Sequence, residues 1–339
     1  KLYCGGEFTE VNGQPQSLIA RVDLLNGQID PWNINAVGSS VRSIEITEEK
    51  ILLGGDFNEV GGLNRSNFAS VNKSDNTVDD FSPDPNKIVL SVLQQPQTIT
   101  LGGDFESLIP VISEPINQSY FAALDKSTGA LIEVYALPNN TVRNIEIGSD
   151  KIFISGSFSQ VGDSSRACIA AYDRETLGLS SWGAQLSTSF ANPVVRDIQI
   201  DGDRLYYTGQ IIYQGNNQGG LGALNLATGT LDDWPQQNLL TVDFESPQFN
   251  ALCIGDTSVF IAGAFTLDGP NAPSPFLFKD IVEIEKDSGI STGFHMSGVG
   301  VSDPDNNVFT GLSSIRDVEL YEGDLIIAGF MYSTVENTA

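Results

Sequence analysis

A short apolar run ending in glycine, in most copies with Phe two residues beyond, recurs seven times: KLYCGGEF, KILLGGDF, TITLGGDF, KIFISGSF, RLYYTGQI, VFIAGAF and DLIIAGF. The anchoring glycines are Gly6, Gly55, Gly103, Gly156, Gly209, Gly263 and Gly329, at steps of 49, 48, 53, 53, 54 and 66 residues. A near-constant period of this size restricts the chain to a propeller, a solenoid or an array. Each repeat is then one small structural unit that buries its faces only against its neighbours.

Laid over one another, the repeats read as four strands each. The first is an alternating stretch with period two: VRSIEI at 41–46, VLSVL at 89–93, VRNIEI at 142–147, VRDIQI at 195–200, FNALCI at 249–254 and IRDVEL at 315–320. The second is the apolar run itself, continuous enough for a strand covered on both faces. The third is LIARVD, NFASVN, YFAALD, CIAAYD, LGALNL or IVEIEK, often closed by a turn such as Asn26-Gly27, Thr128-Gly129, Thr228-Gly229 or Ser288-Gly289. The fourth is short and ends near an aromatic, as in QIDPW, TVDDF, LGLSSW and TLDDW. No amphipathic stretch of helical length interrupts the pattern.

Four short strands cannot bury both faces of one sheet, so neighbouring sheets must stack around an axis. The prediction is an all-β fold, a β-propeller of four-stranded antiparallel blades. It spans 1–339 as a single propeller, read as a segment of a longer chain. The repeats run about 1–40, 41–88, 89–141, 142–194, 195–248, 249–314 and 315–339, the first and last incomplete. Six first strands, seven second strands, six third strands and six fourth strands favour seven blades, with six as the alternative. The strands missing from seven would come from beyond Ala339 or from a partner. Alanines at third-strand positions 20, 69, 122, 123, 170, 171 and 223 would let sheets approach, and the glycine suits a bulge or a close backbone. The following aromatic is expected to plug the gap between blades.

Composition narrows the partners. With 43 acidic against 17 basic residues and a net charge of −26, the surface repels phosphate backbones, which argues against nucleic acid. No apolar run approaches the roughly eighteen residues needed to cross a bilayer as a helix, so no direct membrane insertion is expected. Cys4, Cys168 and Cys253 fall inside strand-like runs and read as buried free thiols. Asn64, Asn72, Asn117 and Asn139 each open an Asn-x-Ser/Thr triplet, a glycan acceptor in a secreted eukaryotic protein.

The stretches GGEFTEVNGQPQSLIARVDLLNGQIDPW and GGDFNEVGGLNRSNFASVNKSDNTVDDF carry a resemblance to the bacterial delta-sixty-type repeats, relatives in architecture of kelch propellers. It covers nearly the whole chain, well in the first four repeats and more loosely later, where Gln210 and Ala264 replace the acid. The chain is also more distantly similar to the propeller of fungal cortical polarity markers. What these families imply is a propeller within large surface or secreted proteins, with adhesive or scaffolding roles. They imply no reaction, since fold does not dictate chemistry. The localisation that follows is extracellular, at a cell surface or a virion surface.

Little material for catalysis is present. His295 is the sole histidine, so a Ser-His-Asp triad or a His-rich metal centre lacks its components. Acids recur at equivalent positions, such as Glu7, Asp56 and Asp104, where turn amides are their expected partners. The GGDF tetrapeptides are repeat punctuation, and the glycine-rich loops lack the lysine of a phosphate cradle. Arg42, Arg143, Arg196 and Arg316 share one place in the first strand. They form either an axial cluster able to hold an anion or a set of contacts between blades. Calcium is the cofactor that acidic loops suit, with Asp303, Asp305 and Asn307 the best ligand set and Asp201 with Asp203 the next.

Three function classes follow. The first is a noncatalytic scaffold that meets other protein subunits of a surface assembly. The second is a glycan-binding propeller using Trp32, Trp182 and Trp234. The third is a glycosidase or lyase working from axial carboxylates beneath the long loops 267–277 and 294–312.

Overall fold

The computed structural model describes residues 1–32, 34–110, 114–184, 186, 192–211, 220–235, 248–266, 278–296 and 314–330, and every regular element among them is a strand. All seven second strands form: Leu2–Gly5, Lys50–Val60, Thr98–Gly103, Lys151–Gly156, Arg204–Gln210, Ser258–Thr266 and Asp324–Phe330. The third repeat is a four-stranded antiparallel meander of Val89–Gln94, Thr98–Gly103, Phe121–Asp125 and Leu131–Ile132. The sixth repeats it with Gln248–Ile254, Ser258–Thr266, Phe278–Glu285 and Ser291–Met296. In the first, second and fifth repeats the fourth strand shrinks to single bridges, Val22 with Ile29, Val71 with Val78 and Leu224 with Leu231.

The chain packs as two compact parts, Lys1–Ile145 with Ser149–Ser165 and Tyr172–Leu179, and Glu146–Gly148 with Arg166–Ala171 and Ser180–Ala339. In the first part, Ile51 and Leu53 join Leu18, Trp32, Val41 and Ala69 in one core. Leu52 joins Phe68, Val89, Val92 and Leu101 in the next. Successive residues of one strand therefore serve opposite cores, which is why the second strand is apolar at every step. The second part repeats this: Val259 and Ile261 meet Tyr206 and Phe249, while Ala262 meets Ile315 and Val318. Such sheet-on-sheet stacking is what a propeller requires. The third-strand alanines 20, 69, 122, 123, 170, 171 and 223 are all fully buried, as close sheet packing demands.

The anchoring glycine works as a backbone clasp. Its N–H donates to the carbonyl of the residue just before the third strand: Gly6 to Leu18 (3.0 Å), Gly55 to Asn67 (3.1 Å) and Gly103 to Tyr120 (3.0 Å). The N–H of that same residue donates to the carbonyl of Phe8, Phe57 or Phe105 at 2.9, 2.9 and 2.8 Å. The clasped residue takes positive φ without being glycine, 61° at Leu18, 62° at Asn67 and 67° at Tyr120, a conformation held against its intrinsic cost, and Cys168, also just before a third strand, takes 63°. From the other side, first-strand backbone crowds the glycine. A Cβ would stand 2.2 Å from the Ser40 carbonyl oxygen at Gly55, 2.2 Å from that of Ile88 at Gly103 and 2.1 Å from that of Val194 at Gly209. Phe57, Phe105 and Phe158 are buried, so the aromatic packs as expected.

Opposite the glycine, the first strand carries a β-bulge that breaks the predicted period of two. Register passes from Val41–Gly55 to Ser43–Gly54, from Val89–Gly103 to Ser91–Gly102, and from Val195–Gly209 to Asp197–Thr208. The last two repeats shift at Phe249/Ala251 and Ile315/Asp317. The extra residues are Arg42, Leu90, Arg196, Asn250 and Arg316. Because a bulge resets which way side chains face, each core takes first-strand residues three apart: Val89 with Val92, Phe249 with Leu252, Ile315 with Val318.

Candidate functional site

Three of the four sequence-selected arginines, Arg42, Arg196 and Arg316, are the bulged residues themselves, and Arg143 holds the equivalent place in Val142–Ile147. A bulge takes its extra side chain out of the core-facing row. Arg42 donates from Nε to Ser40 Oγ (3.0 Å) and pairs with the Glu7 carboxylate, the acid of the preceding repeat's GGEF. Arg143 and Arg196 are half-buried, and Arg316 is exposed.

Sequence reasoning missed the residue after the bulge. Ser43 Oγ accepts from the Val92 N–H (3.0 Å), Ser91 Oγ from the Ile145 N–H (3.1 Å) and Asp197 Oδ2 from the Leu252 N–H (2.9 Å). Each bond ties the first strand of one repeat to the first strand of the next. The signal was present as a polar residue at that position in five of six copies, Ser43, Ser91, Asn144, Asp197 and Asp317, with Ala251 the departure.

In the second part these strands gather carboxylates. Burial of Asp197 pushes its pKa up to about 8, the charges of Asp317 and Glu146 push the same way, and the Leu252 N–H opposes them. Cys253 is pushed up to about 12 by burial, with Glu319, Asp197 and Asp317 adding. Both shifts disfavour charge rather than stabilise a reactive anion.

The other recurring acids have structural partners. Asp125 accepts from the N–H groups of Ser127 and Thr128 and from both hydroxyls, which lowers it to about 2. Asp173 and Asn225 close the equivalent turns with Thr176 and Thr228. The fourth-strand acids neutralise the cation that opens the second strand: Asp30 pairs with Lys1 (2.8 Å), Asp79 with Lys50 and Asp232 with Arg204 (2.8 Å). Asp30 also holds Arg21 at 2.8 Å.

The tryptophans are core residues, only 2% exposed at Trp32, 5% at Trp182 and 3% at Trp234. Trp32 meets Tyr3 edge-on beneath the Arg21 guanidinium, and Trp234 meets Tyr206 edge-on while donating to the Glu285 carbonyl (2.9 Å). A buried indole offers no face to a sugar. Of the calcium candidates, Asp201 pairs with Lys286 at 2.5 Å. Asp303, Asp305 and Asn307 lie outside the described residues, as do the loop 267–277, positions 297–312 of the loop 294–312 and the side chain of His295; positions 294–296 belong instead to the strand Ser291–Met296, paired with Phe278–Glu285. Among the described residues no three His, Cys, Asp or Glu side chains are grouped to hold a metal ion. Cys4, Cys168 and Cys253 are free thiols, Cys4 half-buried and the others buried.

Residues 1–31 match the family model described as "Domain of unknown function (DUF5122) beta-propeller". Among solved structures, the chain is similar to the extracellular domain of a protein assigned as a one component system of B. thetaiotaomicron, at 12% identity and TM-score 0.52. That match covers 86% of this chain and 32% of the other. A second structure, the extracellular domain assigned to a hybrid two component system of B. thetaiotaomicron, gives 13% identity and TM-score 0.53, over 87% of this chain and 32% of the other. The chain thus spans about a third of the length of these structures. At such identity the likeness concerns the fold. No match was found among curated proteins. With its antiparallel four-stranded sheets, the fold is an all-β propeller.

Proposed function

We propose that the chain is a noncatalytic β-propeller module that serves as a scaffold for protein contacts in a large extracellular, cell-surface or virion-surface assembly. The observation that carries this reading is the use of the repeated residues. The glycine clasps backbone, the aromatic and tryptophan fill cores, the third-strand acid closes a turn and the fourth-strand acid neutralises a lysine or arginine. What recurs in this chain is architecture, and the surface between these fixed points is left for partners. The two similar structures are extracellular domains, which supports the setting. Seven blades and protein subunits as partners belong to the same reading. The glycan-binding alternative loses its three tryptophans to the cores.

Biotinylation of intact cells with a membrane-impermeant reagent, followed by cross-linking and native sizing, tests the proposal. The expected result is a labelled protein migrating well above the 36.4 kDa of the chain and cross-linked to another subunit. A protein never labelled, or one that turns over glycosides in a substrate panel, overturns it. Calcium at Asp303, Asp305 and Asn307 is part of the proposal, and a melting temperature unmoved by millimolar calcium removes it.

A further inference from the structure

Two of the four Asn-x-Ser/Thr triplets occupy one repeat position. After the clasp, each early repeat forms a small outer hairpin, Glu10–Val11 with Gln14–Pro15, Glu59–Val60 with Leu63–Asn64, and Ser107–Leu108 with Ile116–Asn117. The last residue of its returning strand is Pro15, Asn64 or Asn117, and all three are exposed. The next side chain turns inward and is tethered: Gln16 donates to the Ile19 carbonyl (2.7 Å), Arg65 to the Asp79 carbonyl (2.6 Å) and Gln118 to the Phe121 carbonyl (2.8 Å). Because neighbouring strand residues face opposite ways, tethering the inner one fixes the asparagine outward. Among the described residues, neither Asn64 nor Asn117 spends its side-chain amide on a hydrogen bond.

The other two asparagines are committed. Half-buried Asn72 donates from Nδ2 to Thr77 Oγ1 (2.9 Å) inside the third-strand turn. Asn139 donates from Nδ2 to Ser159 Oγ (3.1 Å), while its Oδ1 accepts from the N–H groups of Ser159 (2.9 Å) and Gln160 (3.1 Å). A sugar on either Nδ2 would have to sit where these contacts are made.

We propose that Asn64 and Asn117 each carry an N-linked glycan and that Asn72 and Asn139 do not. This assignment rests on the extracellular reading above and, because the triplet is an acceptor in secreted eukaryotic proteins, on a eukaryotic source. In the transfer, Nδ2 attacks the anomeric carbon of a polyprenyl-diphosphate oligosaccharide. The C–N bond forms, the C–O bond to the diphosphate breaks, the lipid diphosphate leaves and Nδ2 gives up one proton. Ser66 and Ser119 supply the hydroxyls that the acceptor triplet requires. The glycans would stand on the outer hairpins of adjacent repeats.

The test uses protein purified from its own cells, treated with a peptide-N-glycosidase in ¹⁸O water and mapped by mass spectrometry. Asn64 and Asn117 are expected to gain the label, and Asn64→Gln and Asn117→Gln variants each to lose one glycan step in gel mobility. Label at Asn72 or Asn139 in place of these two overturns the assignment. Impermeant biotinylation of the same cells reads location separately. Surface-labelled protein with neither glycan overturns this assignment alone, and protein never labelled overturns the extracellular reading with it.

Discussion

A methyl group is the smallest probe of the glycine clasp. At Gly103 a Cβ would fall 2.2 Å from the Ile88 carbonyl oxygen, which sits just before the first strand and is held by the Asp104 N–H at 3.0 Å. Gly103→Ala should therefore cost at least about 2–3 kcal/mol, near the upper end for overpacking. Asp104, the next residue, accepts a single hydroxyl bond from Thr141 (2.9 Å), so Asp104→Ala should cost about 1 kcal/mol. Urea denaturation of the pair separates the two; equal losses would place the importance of GGDF in its acid instead. A second residue-scale prediction concerns the last turn. Exposed Glu322 stands at φ 50° before Gly323 at φ 89° in the turn between the last repeat's first and second strands, close to the conformations that Asn12-Gly13 takes, at 50° and 72°, in the first repeat's outer hairpin. Asparagine tolerates this conformation better, so Glu322→Asn should stabilise by about 0.5–1 kcal/mol. An unchanged urea midpoint would show that the turn carries no strain.

At the scale of the strand and its turns, the third-strand acid is a pH-dependent element. Asp125 titrates near 2 in the fold and at the ordinary 3.8 when unfolded, so its contribution is present above 3.8 and lost as pH falls through 2. Asp125→Ala should lower the melting temperature at pH 7, and the gap to the parent should close as pH approaches 2. A gap independent of pH would mean that the hydroxyl contacts, rather than the charge, hold the turn. This element was legible in advance because its chemistry is local: an acid followed by Ser-Thr-Gly names its own partners. The first strand was legible only in part. Val195 and Ile198 face the core three residues apart, because Arg196 is an extra residue that the partner strand does not match. A period of two is a property of an unbroken ladder, and nothing within VRDIQI reports what Gly209 does to the strand beside it. The inter-repeat bonds of Ser43, Ser91 and Asp197 were hidden for the same reason, since they appear only once the bulge has turned those side chains. The tryptophans were ambiguous because an aromatic near a strand end suits a sugar or a core equally, and only burial decides.

For the whole molecule, the question is how a chain of net charge −26 tolerates carboxylates between its repeats. Two effects contribute, one that salt relieves and one that it does not. Repulsion among surface acids lowers stability at neutral pH and is screened within about a Debye length, so added salt relieves it. The Asp197 carboxyl, half-buried beside the first strand of the next repeat, is penalised mainly by lost hydration, which salt does not restore. Its pKa rises from 3.8 to about 8 on folding, so its contribution to stability is fully present below 3.8 and is lost as pH climbs toward 8. Asn at this position keeps an oxygen for the Leu252 N–H and removes the ionisation. Discounted for partial exposure, Asp197→Asn should stabilise by roughly 1–2 kcal/mol at pH 7. The advantage should vanish near pH 4 and persist in half-molar salt. Urea midpoints measured from pH 4 to pH 8 at two salt concentrations decide it. An advantage that disappears with salt assigns the penalty to the surface field, and one constant in pH assigns it to packing rather than to the buried charge.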